Sequence, residues 1–297
     1  MEVIVGQTAG FCSGVKRAMT MTKKALQNQE RVYCLGEIIH NPILLKELKT
    51  KGLRIVHRME EVPNEQMVIF RSHGVSKQLY QEAERKKLQV LDLTCQQVRN
   101  IHNKIQQCVA KGELVVLIAK RNSLETLGTM SYGDNQIILM EQEEDTEFVI
   151  QRIQKEKRDK VSVFVQNTYS LKEFEQILAC LKQQLPKGVT LGVHNTICPA
   201  TKAMQEETAK IADMVELMII LGGKRSFNAG KLYEIAKQVC GNAIWVERKE
   251  ELYLNYVRRF KVVGVMASVS TPKEEMQELV DLLKNIQTEG YIYENSK

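Results

Sequence analysis

The segment Val90–Ile105, VLDLTCQQVRNIHNKI, joins a strand-like run to a helix-like run through a single cysteine. Its first residues favour a strand, and the apolar residues of its second half recur every three or four positions, as in an amphipathic helix. Asp92 and Thr94 are typical of a helix start. We therefore predict that Cys95 lies at a helix N-terminus. There the helix dipole and unpaired backbone N–H groups favour the thiolate, the form that binds metals and attacks electrophiles.

The same pattern of strand, cysteine and helix occurs twice more. Cys12 follows the apolar run EVIVG and precedes the amphipathic segment GVKRAMTMTKKAL. Cys198 follows another strand-like run and precedes Pro199, a residue favoured at the first position of a helix. Successive cysteines of this set are 83 and 103 residues apart, which fits one small α/β unit of about 100 residues per cysteine.

Short apolar runs alternate with amphipathic segments along nearly the whole chain. This alternation predicts an α/β fold with mainly parallel sheets and right-handed crossovers. The predicted strands are residues 2–6, 31–36, 53–56, 67–71, 89–93, 114–119, 136–140, 161–165, 190–194, 216–221, 243–247 and 261–267. The predicted helices are residues 14–28, 41–51, 76–87, 95–111, 171–185, 200–213, 229–240 and 272–287.

Repetition rather than a linker divides the chain, because no stretch rich in Pro, Gly or Ser is present. Each third supplies one cysteine and two polar loops after strands, where ligands bind in open α/β sheets. The predicted units are 1–93 with Cys12, His40 and His73, 94–193 with Cys95, Glu125 and Asn167, and 194–297 with Cys198, Ser226 and Ser270.

Composition excludes several classes of protein. The 42 basic and 36 acidic residues give a net charge of +6 and are mixed along the chain, which indicates a solvated surface or a mild attraction for anions. No apolar stretch is long enough to span a membrane, and the acidic start MEVIVG does not favour a signal peptide. We expect neither a nucleic acid nor a membrane as partner.

The seven cysteines contain no CxxC pair and no regular short spacing, so a secreted disulfide framework is not expected. This usage favours the reducing cytoplasm. Cys34, Cys108, Cys180 and Cys240 lie in apolar periodic runs and are predicted to be small packing residues.

Three convergent thiolates at Cys12, Cys95 and Cys198 would suit an iron–sulfur centre better than a structural zinc. Structural zinc usually takes four protein ligands, often from close cysteine pairs, whereas a [4Fe–4S] cluster normally takes four cysteines. Three cysteines on separate units suggest a [4Fe–4S] cluster with one iron left open for substrate. From spacing alone, structural or unrelated cysteines remain an alternative.

The chain resembles the 4-hydroxy-3-methylbut-2-enyl diphosphate reductase family over essentially its whole length. The matching motifs are GFCSGV, IIHNP, SHGVS, DLTC, GTM, TICPAT, the SxN of KRSFN, and ASVSTP. The resemblance implies three α/β units in a pseudo-threefold trefoil around a [4Fe–4S] cluster bound by Cys12, Cys95 and Cys198. It also implies a cytoplasmic iron–sulfur oxidoreductase of the non-mevalonate pathway of isoprenoid biosynthesis, which removes the allylic hydroxyl of its substrate to give isopentenyl and dimethylallyl diphosphate.

The family's site residues can be carried onto this chain by position. The resemblance implies that the substrate diphosphate is bound by His40, His73, Ser226, Asn228 and Ser270. Glu125 matches the family's proton-donor carboxylate, and a dry pocket would favour its protonated form. The resemblance also implies a ferredoxin-type or flavodoxin-type electron donor. Without the family resemblance, His40 could simply cap a helix and His73 could be a turn residue. Ser226, Asn228 and Ser270 also lie where helix caps belong.

Four positions depart from the family pattern. Ser123 stands where the family has a substrate-contacting histidine, and Asn167, before Thr168, replaces a threonine of the expected proton relay. Leu127 replaces an acidic residue, and Phe227 lies in the substrate-binding motif where a small hydroxyl residue is usual. A serine cannot carry the positive charge of a histidine, and an amide cannot pass a proton as a hydroxyl does.

These departures leave three hypotheses open. The chain could be a divergent but working reductase, or a paralogue that uses the same cluster and anion-binding loops on a different small substrate. It could instead be a non-catalytic iron–sulfur sensor or binding protein. Retention of Glu125 argues against the sensor, which needs no acid beside an open iron.

Overall fold

A computed structural model describes the backbone of residues 1–294 and the side chains of residues 1–286. Strands and helices alternate along this part of the chain. The strands are β1 (Glu2–Val5), β2 (Val32–Leu35), β3 (Leu53–Val56), β4 (Met67–Phe70), β5 (Gln89–Asp92), β6 (Leu114–Ile118), β7 (Ile137–Met140), β8 (Lys160–Val165), β9 (Thr190–His194), β10 (Leu217–Leu221), β11 (Ala243–Val246) and β12 (Val262–Ala267). The helices are α1 (Ser13–Asn28), α2 (Pro42–Thr50), α3 (Lys77–Arg85), α4 (Gln96–Ala110), α5 (Leu124–Met130), α6 (Thr146–Lys155), α7 (Leu171–Gln184), α8 (Pro199–Met214), α9 (Phe227–Cys240), α10 (Leu254–Val257) and α11 (Lys273–Glu294).

The strands form three four-stranded sheets, and every strand pair is parallel. The strand orders are β1-β12-β10-β11, β3-β2-β4-β5 and β7-β6-β8-β9. Parallel strands cannot be joined by a tight hairpin, so the chain crosses over between successive strands of a sheet. Most of these crossovers contain a helix. The predicted α/β fold with parallel sheets is confirmed.

Two compact units contain these sheets. The terminal unit comprises Met1–Lys16, Ile39–Glu47 and the chain from Pro199 onwards, and it holds the sheet β1-β12-β10-β11. The middle unit comprises Arg17–Ile38 and Leu48–Cys198, and it holds the other two sheets. The boundaries predicted after residues 93 and 193 stay a prediction, and residues 295–297 of the third predicted unit lie outside the described part. Within the terminal unit, strand β1 pairs with strand β12.

Continuous apolar strands build the core of each unit. All five residues of β10, LMIIL, are buried in the terminal unit, and all five residues of β6, LVVLI, are buried in the middle unit. Strands that are apolar on both faces are typical of parallel sheets covered by helices on both sides. In the described residues, no helix is both long enough and apolar enough to cross a bilayer.

All twelve predicted strands are present, whereas three helices were not predicted from the sequence. These are α5, α6 and α10, which span seven, ten and four residues. The helix α5, LETLGTM, contains a glycine and two threonines, which have low helix propensity, so its pattern is weak. Its omission matters because α5 carries Glu125.

Gly223 lies in the loop after β10, where a side chain would collide with the backbone carbonyl of His40. Both residues belong to the terminal unit. Gly230, by contrast, lies inside α9, and a Cβ there would meet the Trp245 ring at an ordinary 3.4 Å.

We predict that Gly223→Ala lowers the free energy of unfolding by about 1–3 kcal/mol, because the backbone must move to relieve the collision. Gly230→Ala is the matched control. It should leave the free energy unchanged or raise it by about 0.5–1 kcal/mol, since alanine favours a helix. Urea unfolding of the two variants and wild type measures the difference. Equal midpoints for Gly223→Ala and wild type would show that the loop can accept a side chain.

Candidate functional site

Three free cysteines lie at the starts of helices. Cys12 immediately precedes α1, and the backbone N–H of Val15 lies 3.5 Å from its Sγ. Cys95 is the N-cap of α4, and Cys198 directly precedes Pro199, the first residue of α8. All three are partly exposed. The predicted position of each cysteine between a strand and a helix is confirmed.

The other four cysteines have different surroundings. Cys34 and Cys108 are buried, and burial raises the pKa of the Cys34 thiol to about 12. Cys180 accepts a hydrogen bond from the Thr146 hydroxyl at 3.5 Å, and Cys240 donates one to a backbone carbonyl at 3.3 Å. Their contacts agree with the predicted packing role.

The three helix-start thiols are donors of the type that binds iron–sulfur clusters. Within the described side chains, no group of three or more His, Cys, Asp or Glu residues is arranged to hold one metal ion. Cysteine thiolates are the usual protein ligands of iron–sulfur clusters. The donor set therefore fits the cluster implied by the sequence.

Glu207 of α8 holds the loop that leads to Cys12. Its carboxylate accepts the backbone N–H groups of Gln7 at 2.7 Å and Thr8 at 2.8 Å, and also the Thr8 hydroxyl. Burial raises the pKa of the Glu207 carboxyl, whereas the hydrogen bonds from Thr8 and Gln7 lower it. Together the hydrogen bonds have the larger effect, so the pKa is below the ordinary value of a glutamate. Glu207 was not identified from the sequence, because its partners Gln7 and Thr8 lie 200 and 199 positions away in the chain.

Two neighbouring strand ends place His73 near Cys95 in the chain's middle unit. The loop after β4 and the loop after β5 are joined by a hydrogen bond from the Cys95 N–H to the Ser72 carbonyl at 2.9 Å. Gly74 then turns with a φ of +79°, and a Cβ there would lie 3.0 Å from the ring of His102. His73 therefore directly precedes Gly74, a turn residue whose positive φ favours glycine.

His102 is buried behind this turn and has no site role predicted from the sequence. Its ring stacks on Tyr132 with centroids 3.9 Å apart, and its Nε2 lies 3.1 Å from the Thr129 hydroxyl. Burial lowers the pKa of His102 to about 4, so its ring is neutral at physiological pH. We interpret it as a packing support for the loop that carries His73.

Polar loops in the terminal unit gather four of the predicted anion-binding residues. The Ser270 hydroxyl lies 3.5 Å from the His40 carbonyl oxygen and 2.9 Å from the Ser268 hydroxyl. The Asn228 Oδ1 accepts the backbone N–H of Val269 at 3.2 Å. These contacts connect the loops after β10 and β12, which are neighbouring strands of one sheet.

The same group has unused donor capacity. Asn228 is only 3% exposed, and its side-chain Nδ2 has no hydrogen-bond partner. Ser226 is the N-cap of α9 and accepts the Ala229 N–H at 3.3 Å, so backbone N–H groups of the first helical turn lie beside it. A buried donor beside a helix N-terminus can bind an anion such as a phosphate. Phe227, the first residue of α9, is 47% exposed.

Glu125 is buried in the first turn of α5. Its side chain is 3% exposed, and one carboxyl oxygen accepts the backbone N–H of Asn167 at 3.0 Å. Burial raises the pKa of Glu125 to about 7, against the lowering effect of the hydrogen bond from Asn167. A large fraction of these carboxyls is therefore protonated near neutral pH, as a general acid requires.

Gln166 connects the other residues around Glu125. Its Nε2 donates to the hydroxyls of Ser123 at 3.0 Å and Thr168 at 3.1 Å, and its Oε1 accepts the Lys120 N–H at 2.9 Å. The next residue, Asn167, uses its carbonyl to accept the Cys198 N–H at 2.9 Å. These hydrogen bonds connect the loops after β6 and β8 with Cys198 inside the middle unit.

Residues 3–284 match the model of the family described as LytB protein. The chain belongs to the LytB family. A relative from Caldanaerobacter subterraneus subsp. tengcongensis, named 4-hydroxy-3-methylbut-2-enyl diphosphate reductase, is 32% identical over 97% of this chain and 99% of its own length.

Two solved structures also resemble this LytB-family chain. The E-1-hydroxy-2-methyl-but-2-enyl-4-diphosphate reductase of Plasmodium falciparum has a TM-score of 0.87 and 26% identity, over 95% of this chain and 87% of that chain. A structure described as (E)-4-hydroxy-3-methyl-but-2-enyl diphosphate reductase, the terminal enzyme of the non-mevalonate pathway, has a TM-score of 0.70 and 33% identity. It covers 96% of this chain and 100% of that chain. The family resemblance predicted from sequence motifs is confirmed.

Each of the two units holds some of the predicted site residues. The terminal unit holds Cys12, His40, Ser226, Phe227, Asn228 and Ser270, and the middle unit holds His73, Cys95, Ser123, Glu125, Asn167, Thr168 and Cys198. Their functional roles stay predictions. Gln166 was not predicted from the sequence as a site residue, although it is a polar residue that directly follows the buried strand β8.

Proposed function

We propose that this protein is an oxidoreductase of isoprenoid biosynthesis that acts on 4-hydroxy-3-methylbut-2-enyl diphosphate. It would remove the allylic hydroxyl as water and release isopentenyl and dimethylallyl diphosphate, the terminal step of the non-mevalonate pathway. The observation that carries this proposal is the buried Glu125 carboxyl with a pKa raised to about 7, in a chain matched over nearly its full length by reductases.

The substrate's diphosphate needs several hydrogen-bond donors. In the terminal unit, Asn228 offers a buried N–H group without a partner, and Ser226 and Ser270 offer hydroxyls beside the start of α9. Charge-assisted hydrogen bonds to phosphate oxygens are stronger than neutral ones. We assign these residues to diphosphate binding, together with His40 and His73.

Glu125 would donate the proton that leaves with the substrate hydroxyl. The Asn167 N–H holds one carboxyl oxygen, so the carboxyl is fixed and its proton can reside on the other oxygen. Cleavage of the C–O bond consumes two electrons and two protons. One proton forms water with the leaving hydroxyl, and the other completes a C–H bond of the product.

The residues fit a [4Fe–4S] cluster with Cys12, Cys95 and Cys198 as ligands. Such a cluster, when bound, supplies electrons and, through an open iron, Lewis acidity. The sequence has no nicotinamide or flavin fingerprint, so the electrons would come from a ferredoxin-type or flavodoxin-type protein. All seven cysteines are free thiols, which supports the reducing cytoplasm as its location.

A second candidate is a paralogue that reduces another small anionic substrate. The serine at position 123 favours it, because a serine cannot carry the positive charge that the histidine implied by the family resemblance could offer the family's substrate. A non-catalytic sensor is disfavoured by Glu125, because a sensor needs no acid beside an open iron and the burial of an acid costs free energy.

We predict that protein reconstituted without oxygen binds about four irons per chain as a [4Fe–4S] cluster. Cys12→Ser, Cys95→Ser and Cys198→Ser should each lower the iron content and the visible absorbance. Cys180→Ser is the control, because its sulfur accepts hydrogen bonds from the Thr146 and Gln184 side chains on α6 and α7, and it should bind iron like wild type. A full iron content in the three test variants would contradict the ligand assignment.

We predict that the loaded wild type converts the diphosphate with a chemically reduced carrier, and that Glu125→Gln lowers kcat by about 100-fold or more. The amide keeps the shape of the acid but has no proton to donate. Glu175→Gln, at an exposed position of α7, should retain wild-type kcat. Products are measured by chromatography, and iron content is checked in each sample. A loaded wild type without turnover would favour the paralogue.

A further inference from the structure

The amide of Gln166 has only one orientation that satisfies its neighbours. A backbone N–H can donate but cannot accept, so the atom that receives the Lys120 N–H must be the amide oxygen. The two N–H groups of Nε2 then point to the hydroxyl oxygens of Ser123 and Thr168, at 3.0 and 3.1 Å. Gln166 is 4% exposed, so water does not compete freely for these bonds.

This orientation fixes the role of both hydroxyls. A hydroxyl that accepts a hydrogen bond from Gln166 still carries its own proton, and that proton must be donated to a different group. The hydroxyls of Ser123 and Thr168 are therefore set as donors that face away from Gln166. Ser123 is also the position where the family resemblance implies a histidine, a residue that can donate to an oxygen.

We propose that Gln166 is a positioning residue that presents the hydroxyls of Ser123 and Thr168 as hydrogen-bond donors to the oxygen that leaves the substrate. Negative charge builds on this oxygen as the C–O bond breaks, so a preset donor stabilises the transition state more than the bound substrate. This role rests on the proposed function, and it explains how a serine can stand at position 123.

Gln166→Glu reverses the polarity of the network with little change of shape. One carboxylate oxygen can still accept the Lys120 N–H, while the other accepts the protons of Ser123 and Thr168 and withdraws them from the substrate. We expect kcat to fall by about 100- to 1,000-fold, the effect of losing one such donor, with KM changed by less than about threefold. Gln176→Glu adds the same charge at an exposed position of α7 and should change neither constant.

The effect must depend on the two hydroxyls if Gln166 acts through them. In a Ser123→Ala, Thr168→Val background, Gln166→Glu should change kcat by less than about threefold, because no hydroxyl remains to be reoriented. An equal loss of kcat in both backgrounds, or a rise in KM alone, would assign the effect to charge or to structure and overturn the proposal. Iron content and visible absorbance show whether each variant is loaded.

Neutron diffraction of the deuterated protein separates this inference from the proposed function. The expected map shows two deuterons of Gln166 aimed at the Ser123 and Thr168 oxygens, and the hydroxyl deuterons aimed away from Gln166. A map with either hydroxyl donating to Gln166 would overturn the positioning role, even if the enzyme reduces the diphosphate. The expected map with an inactive wild type would instead overturn the function and leave the preset donors in place.

Discussion

The carboxyl group of Glu125 is almost completely buried and accepts a hydrogen bond from the backbone N–H of Asn167. Removal from water disfavours the charged form, whereas the hydrogen bond favours it, and burial has the larger effect. The resulting pKa of about 7 keeps the acid and its conjugate base both accessible near neutral pH. The proposed reaction depends on this balance, because a carboxyl with an ordinary pKa would rarely hold the proton.

The parallel sheets determine which residues surround this acid. The strands β6 and β8 are direct neighbours, so the loops after them lie side by side and bring α5 next to residues 166–168. Asn167 contacts Glu125 and Cys198 through its backbone N–H and carbonyl. Both contacts are independent of its side chain. The support of the acid therefore does not require a threonine at position 167, the residue that the family resemblance implies there.

Local sequence patterns predicted the strands, the helix-start cysteines and the polar strand-end loops, since each depends on residues close together in the chain. Contacts between distant residues were not predictable in the same way. The pairing of β1 with β12 joins the two ends of the described chain, and the contact of Glu207 with Thr8 spans 199 positions. The link between Gln166 and Ser123 likewise depends on how two loops meet. Neither periodicity nor motif spacing contains this information.

The most direct test of this account is an infrared titration of the Glu125 carboxyl. The difference spectrum between wild type and Glu125→Gln isolates the C=O stretch of the protonated acid as the pH is raised. The account predicts that this band persists above pH 6 and is half lost at about pH 7, the raised pKa of the buried carboxyl. A band already lost near pH 4.5, the ordinary pKa of a glutamate, would contradict the assignment of Glu125 as the acid.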